Sequence, residues 1–275
     1  MGTSPPESLH NVEDSTSRKS YRVPPLWRLL LRLLRRAVPL FCRLRVTGDI
    51  PAALRDGPLI IVSNHVGTFD PFVLIAACAA HGVAPRFLAT GGMFRAPVFG
   101  AIMRASGHIR VDRGHRTVTD ALHRAGDALA ENSTILLYPE GRISLDPGLW
   151  PERAKTGAAR LALHTGAPVL VVAQWGAHEI MAWDRPATMA ATLLSAVYRR
   201  PVARVHFAGV VDLSDLSPGD PSAARAAADR ITRHGLDALL PLRADEPVMP
   251  RHVDHTRPLS TARTYRRDEV TGDAS

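Results

Sequence analysis

Lysine is nearly absent from this chain of 275 residues: Lys19 and Lys155 are the only two, so its formal charge of +8 and pI near 10.4 rest on arginine. Cysteine is scarce too. Cys42 and Cys78 give neither a disulfide framework nor metal-ligand spacing, which fits a reducing compartment and makes the cytoplasm the default expectation. Aromatic residues are 5% of the chain and no nucleic-acid-binding motif is present, which argues against a nucleic-acid partner for all that positive charge. No stretch offers the roughly 20 mostly apolar residues that cross a bilayer, and residues 1–23 lack the apolar centre of a signal peptide. A G-x-S-x-G elbow is also missing, so Ser63 is not placed as a hydrolase nucleophile.

What is present is enough apolar material, 45% of the residues, for one sizeable core. The expected organisation is a polar disordered tail over 1–23, a basic amphipathic helix over 24–46, a domain over 47–243 and a loose C-terminal tail over 244–275. In the helix, Arg28, Arg32, Arg35 and Arg36 gather on one side, and Trp27, Leu30, Leu31, Leu34 and Val38 on the other. Such a helix can lie in a membrane interface, with Trp and Leu in the acyl boundary and Arg at anionic headgroups, which is the favoured reading. Packing of the leucines on the domain core is the alternative.

The domain is organised around residues 58–71, PLIIVSNHVGTFDP. Leu59 to Val62 read as a buried strand, and Asp70-Pro71 as the start of a helix running to about residue 80. His65 lies in the turn between them. Asp70 can return to one ring nitrogen of His65, fix its tautomer and leave the other nitrogen as a base at the carboxyl end of a strand, where open α/β sheets bind ligands. The plainer reading of the same residues is a helix cap and a turn histidine.

Two later segments repeat the strand-then-turn pattern. Residues 107–114, GHIRVDRG, alternate as a strand that brings out Arg113, which suits either a phosphate or an ordinary ion pair with Asp112. Residues 134–144, TILLYPEGRIS, form a strand followed by Pro139-Glu140-Gly141-Arg142, where glycine permits close backbone approach and arginine supplies charge-assisted donors. Glu140 can orient Arg142, bind a hydroxyl or hold a neighbouring turn. Lys155 opens the next helix, residues 155–164, and faces either a phosphate or solvent. Further strands are expected at 86–89, 169–173 and 202–211, and helices at 93–104, 117–130 and 221–240; residues 175–200 give no clear pattern. The expected fold is a single α/β domain with a mostly parallel mixed sheet flanked by helices and an N-terminal amphipathic interfacial helix. No residue cluster has metal-ligand spacing.

Asn64-His65 through Asp70, Gly107 to Arg113, Pro139-Glu140-Gly141, and Ala167-Pro168-Val169-Leu170-Val171 occur in the order of the four motifs of the lysophosphatidic acid acyltransferase type of glycerolipid acyltransferases, which residues 45–215 resemble. Three positions depart from the family pattern. Arg110 stands where an aromatic is common, EGRIS replaces EGTRS, and Ala173 replaces a second proline.

The resemblance implies transfer of a fatty acyl group from acyl-CoA or acyl-carrier protein to the hydroxyl of a lysophospholipid. It also implies His65 and Asp70 as the catalytic pair, and Asn64, Gly107, Arg113, Glu140, Gly141 and Arg142 around the acceptor; Lys155 joins them from its place after the loop that faces the site, not from the resemblance. No cofactor beyond the thioester co-substrate is expected, and the protein would sit peripherally on the cytoplasmic face of an anionic membrane. Other acceptors, glycerol-3-phosphate, another lysophospholipid or a glycolipid, remain alternatives, as does a non-catalytic protein that binds anionic lipid.

Overall fold

The computed structural model describes residues 21–112, 115–146 and 148–245. Its helices are α1 (Pro25–Phe41), α2 (Ala52–Arg55), α3 (Asp70–Ala80), α4 (Gly91–Arg95), α5 (Pro97–Ala105), α6 (His115–Ala130), α7 (Gly157–Thr165), α8 (Pro186–Arg199) and α9 (Ala223–Leu242). Its strands are β1 (Arg43–Gly48), β2 (Leu59–Ser63), β3 (Arg86–Thr90), β4 (Ile109–Val111), β5 (Thr134–Leu137), β6 (Val169–Trp175) and β7 (Val202–Val211). They form one seven-stranded sheet in the order β1-β7-β6-β2-β5-β3-β4. All neighbours are parallel except β6 and β7.

The short apolar runs become strands because both faces of the sheet are covered, so alternate residues enter two different cores. Leu59, Ile61, Leu136, Leu170 and Val172 pack with Trp27, Leu31 and Val38 of α1, with α3 and with Ala196 of α8. Ile60, Val62, Ile135, Leu137, Val169 and Val171 pack on the other face against α6, α7 and α9. The expected mixed, mostly parallel α/β architecture is the one observed.

The N-terminal region differs from expectation in two ways. The helix ends at Phe41, and residues 43–46, expected within it, belong to β1, which pairs with β7 from Arg43↔Val202 onward. Exposure alternates residue by residue from Arg43 to Val46, the period of a strand at a sheet edge. Second, the apolar face expected to enter a membrane is turned inward: Trp27, Leu31 and Val38 are buried, and Leu30 and Leu34 are half-buried against the same core. The side facing solvent carries Leu29, Leu33 and Leu40 beside Arg28, Arg32, Arg35 and Arg36. Among the described residues no helix is long and apolar enough to cross a membrane.

The tails fall mostly outside the described residues, but Tyr21 to Val23, expected to be disordered, are fixed. The Tyr21 N–H donates to Glu131 O at 2.8 Å, and Val23 packs on the core. Residues 93–104 contain two helices rather than one, α4 and α5, because Ala96 is extended before Pro97. The patternless stretch 175–200 contains α8. Leu194 and Tyr198 lie on its solvent side, 68% and 91% exposed, and so blur the amphipathic stripe that would have revealed it.

Candidate active site

β2 delivers its last residue, Ser63, to the carboxyl edge of the sheet, and the chain turns through Asn64, His65, Val66 and Gly67 before α3 starts at Asp70. The Asp70 side chain is fully buried, and its Oδ2 accepts three donors: the Val66 N–H at 2.6 Å, the Gly67 N–H at 2.9 Å and His65 Nδ1 at 2.8 Å. One carboxylate oxygen therefore shapes the turn before α3 and orients the imidazole; Asp70 does not cap the helix, whose N-cap position is Phe69 and carries no side-chain cap bond. With Nδ1–H donated to Asp70, the His65 Nε2 lone pair is left to act as a base. The side chain remains 15% exposed, enough to meet a substrate. Its ring stacks on Tyr138, centroids 3.9 Å apart and planes inclined by 12°. Burial, and then the Asp70 charge, raise the Tyr138 hydroxyl well above its usual pKa, so the stacked partner is a neutral phenol.

Other segments hold the turn from both sides. Asn64 and Gln174 exchange three hydrogen bonds: Asn64 Nδ2 to Gln174 O, the Gln174 N–H to Asn64 Oδ1, and Gln174 Nε2 to Asn64 O, at 2.8–2.9 Å. Asn64, expected at the substrate, thus spends its amide on fastening the turn to β6. Gly67 comes so close to the 3₁₀ turn Ala177–Glu179 that a Cβ there would lie 3.1 Å from His178 Cα.

The Pro139-Arg142 turn arrives beside the first one. Glu140 is buried; its Oε1 accepts the His65 N–H at 2.9 Å and its Oε2 the Glu152 N–H at 2.8 Å. Of the roles open to it in the sequence, holding a neighbouring turn is the one the geometry supplies, and orienting Arg142 falls to another residue. Burial, reinforced by the Glu152 and Asp70 charges, pushes the Glu140 carboxyl up to about 8, although both backbone bonds pull the other way. Arg142 is gripped by Glu152, Nε to Oε1 at 3.0 Å and Nη2 to Oε2 at 2.8 Å, and keeps 34% of its side chain exposed. Gly141 has φ +74, and a Cβ there would meet Lys155 Nζ at 2.9 Å and its stem at 3.3 Å, so only glycine lets Lys155 lie across the turn.

The structure thus gathers Asn64, His65, Asp70, Glu140, Gly141, Arg142 and Lys155 at one edge of the sheet. It does not bring Gly107 there. Gly107 precedes β4, at the opposite edge, and its carbonyl accepts Arg86 Nε at 2.6 Å. Arg113 lies outside the described residues. Tyr138, Glu152 and Gln174 are site residues that the sequence did not single out. Of these only Tyr138 had a local signal, its place immediately before the PEG turn. Among the described residues no group of three metal-binding side chains converges.

Residues 43–175 match the family model described as Acyltransferase. Over 127 residues the chain is 32% identical to a chloroplastic 1-acyl-sn-glycerol-3-phosphate acyltransferase of Brassica napus, covering 46% of this chain and 35% of the relative. It is 30% identical over 143 residues to a protein of the same name from Chlamydomonas reinhardtii, covering 51% and 41%. A lyso-ornithine lipid O-acyltransferase of Rhizobium meliloti is 31% identical over 103 residues, covering 37% and 32%. The matched stretch is thus well under half of each relative's length. The crystal structure of the 1-acyl-sn-glycerophosphate acyltransferase of Thermotoga maritima superposes with a TM-score of 0.56 at 19% identity, covering 80% of this chain and 83% of that one, a likeness of fold. The family match runs from β1 to the end of β6 and takes in both turns that meet around His65, so over that stretch the chain is similar to the acyltransferase family.

Proposed function

We propose that this protein transfers a fatty acyl group from a thioester, acyl-CoA or acyl-carrier protein, to the free hydroxyl of a lysophospholipid, with lysophosphatidic acid as the first acceptor to test. The observation that carries the reading is the His65 ring, held through Nδ1 by buried Asp70 and partly open to solvent. An alcohol is a poor nucleophile until it loses its proton, and a positioned imidazole is the side chain that most often takes it. Nε2 takes the hydroxyl proton as the oxygen attacks the thioester carbonyl. The imidazolium that forms is stabilised by Asp70 and by the Tyr138 face. The C–S bond then breaks, the thiolate leaves, and Nε2 returns its proton to the sulfur or to water.

Arg142, fixed in direction by Glu152 and partly exposed, supports the choice of a phosphate-bearing acceptor. The same ion pair offsets much of the Arg142 charge, and one relative is named for a lyso-ornithine lipid, so an acceptor without phosphate is the second reading. Residence on a membrane, at its cytoplasmic face, is part of the proposal. The outward Leu29, Leu33 and Leu40, flanked by arginines on α1, fit an anionic surface.

The test is thiol release from acyl-CoA against a panel of lysophosphatidic acid, glycerol-3-phosphate, other lysophospholipids and lyso-ornithine lipid. The expected result is turnover with lysophosphatidic acid that falls by a factor on the order of 10²–10⁴ in His65→Ala. Full turnover in that variant, or no release with any acceptor, overturns the reading. Flotation with anionic vesicles tests the surface: Leu33→Asp/Leu40→Asp should float less than wild type, and equal flotation removes the membrane claim.

A further inference from the structure

Arg243, the residue that closes α9, is only 5% exposed, an unusual place for a guanidinium. Its central carbon lies 3.7 Å from the centroid of the Trp150 ring and 3.9 Å from that of Trp175, so the planar group is sandwiched between two indoles, and Nη2 donates to Gly148 O at 2.9 Å. Two aromatic faces and a carbonyl are the compensation a desolvated guanidinium needs, and an ammonium cannot stack in the same way.

The two indoles belong to different parts of the site. Trp175 follows Gln174, the residue clasped to Asn64 in the catalytic turn. Trp150 sits in the segment 144–152, described over residues 144–146 and 148–152, which reaches both candidate functional side chains. The Ser144 N–H donates to His65 O at 2.8 Å, and Ser144 Oγ donates to Trp150 O at 2.5 Å. At the other end of the segment the Leu145 N–H and Arg142 Nε share Glu152 Oε1. Gly148 and Trp150 N–H groups both bond Asp146 Oδ1, at 2.7 and 3.3 Å, so the segment is internally braced. Trp150 and Trp175 also pack with Val66 of the catalytic turn and with Leu236 and Leu239 of α9.

We propose that Arg243 is a positioning residue: by clamping Trp150 to Trp175 it fixes segment 144–152, and through Glu152 it sets the direction of Arg142 and hence acceptor affinity. The part concerning the acceptor rests on the function proposed above; the clamp does not.

The experiment uses the full chain with Arg243→Met, Arg243→Lys and Arg142→Ala, and follows acyl transfer and amide hydrogen exchange together. Arg243→Met should raise the acceptor KM about tenfold with kcat and donor KM nearly unchanged, and exchange in 144–152 should accelerate while β2 keeps its protection. Arg243→Lys, which keeps the charge but not the plane, should restore little of either. Arg142→Ala/Arg243→Met should bind acceptor no worse than Arg142→Ala alone, because both changes remove the same contact. Unaltered exchange in 144–152 overturns the clamp. A loss spread over kcat, both KM values and exchange throughout the domain also overturns it, since that is general destabilisation, and Arg243→Lys gives the same reading if the Met variant does not fold. If wild type transfers to no lysophospholipid, the proposed function fails, while the exchange comparison still decides the clamp.

Discussion

Asp70→Asn isolates the contribution of one carboxylate oxygen to the chemistry. In the native turn Oδ2 carries three donors at 2.6–2.9 Å, two from backbone and one from His65 Nδ1. Asparagine can still offer an oxygen to the Val66 and Gly67 N–H groups, so the turn keeps its shape, but the negative charge facing the imidazole is gone. A hydrogen bond to a charged group contributes about 1.5–3 kcal/mol, and losing that for the imidazolium alone lowers the rate roughly 10–150-fold. The amide NH₂ cannot turn to the ring without also facing the Val66 and Gly67 N–H donors, so the oxygen keeps all three bonds and the imidazole keeps its tautomer. We therefore expect kcat to fall roughly 10–150-fold. The acceptor KM should barely move, because Asp70 is fully buried and touches no substrate. Thiol release at saturating acyl-CoA, with acceptor varied, measures both constants, and circular dichroism confirms that the variant is folded. A folded Asp70→Asn enzyme with kcat within about threefold of wild type would refute the assignment of His65 as an oriented base.

Two buried groups predict opposite slopes of stability against pH. Glu140 is pushed up by burial to about 8, from an ordinary 4.5, so between those values the folded protein keeps a proton that the unfolded chain releases; unfolding free energy should decline as pH rises through that window and level off above it. Glu140→Gln should abolish that decline, and at pH 6, by setting an NH₂ against the His65 or Glu152 N–H, cost about 1–3 kcal/mol. Urea unfolding at a series of pH values would expose the error if the slope survived the substitution. His108 is driven down to about 4 by burial and by the Arg86 charge; its Nδ1 accepts the Phe87 N–H, and its ring meets Trp27 edge-on. Here the unfolded chain binds the extra proton, so stability should be lost as pH falls from 6.5 towards 4. His108→Gln, able to keep the Phe87 bond, should flatten that acid limb in thermal melts, and an unchanged limb would assign it to other groups.

Short-range chemistry determined a good part of this protein. The runs at 59–62, 135–138, 169–173 and 202–211 are short, apolar and bounded by turn residues, which reads as strands, and the five-residue spacing of His65 and Asp70 across a strand-to-helix turn is enough to bring their side chains together. The order of the turns along the chain carried the family resemblance for the same local reason. Tertiary structure alone decided the rest. The apolar stripe of α1 looks the same in sequence whether it meets lipid or a core, and only the presence of α3 and α8 beside it settles that Trp27, Leu31 and Val38 are inside. Glu140, Arg142 and Arg243 read as charges near turns, yet their partners are His65, Glu152, the Trp150–Trp175 pair and Gly148, up to 95 residues away along the chain. A local pattern repeats and can be read by its period. A pairing between one side chain and another in a distant segment has no period, and it exists only once the sheet has set the two segments side by side.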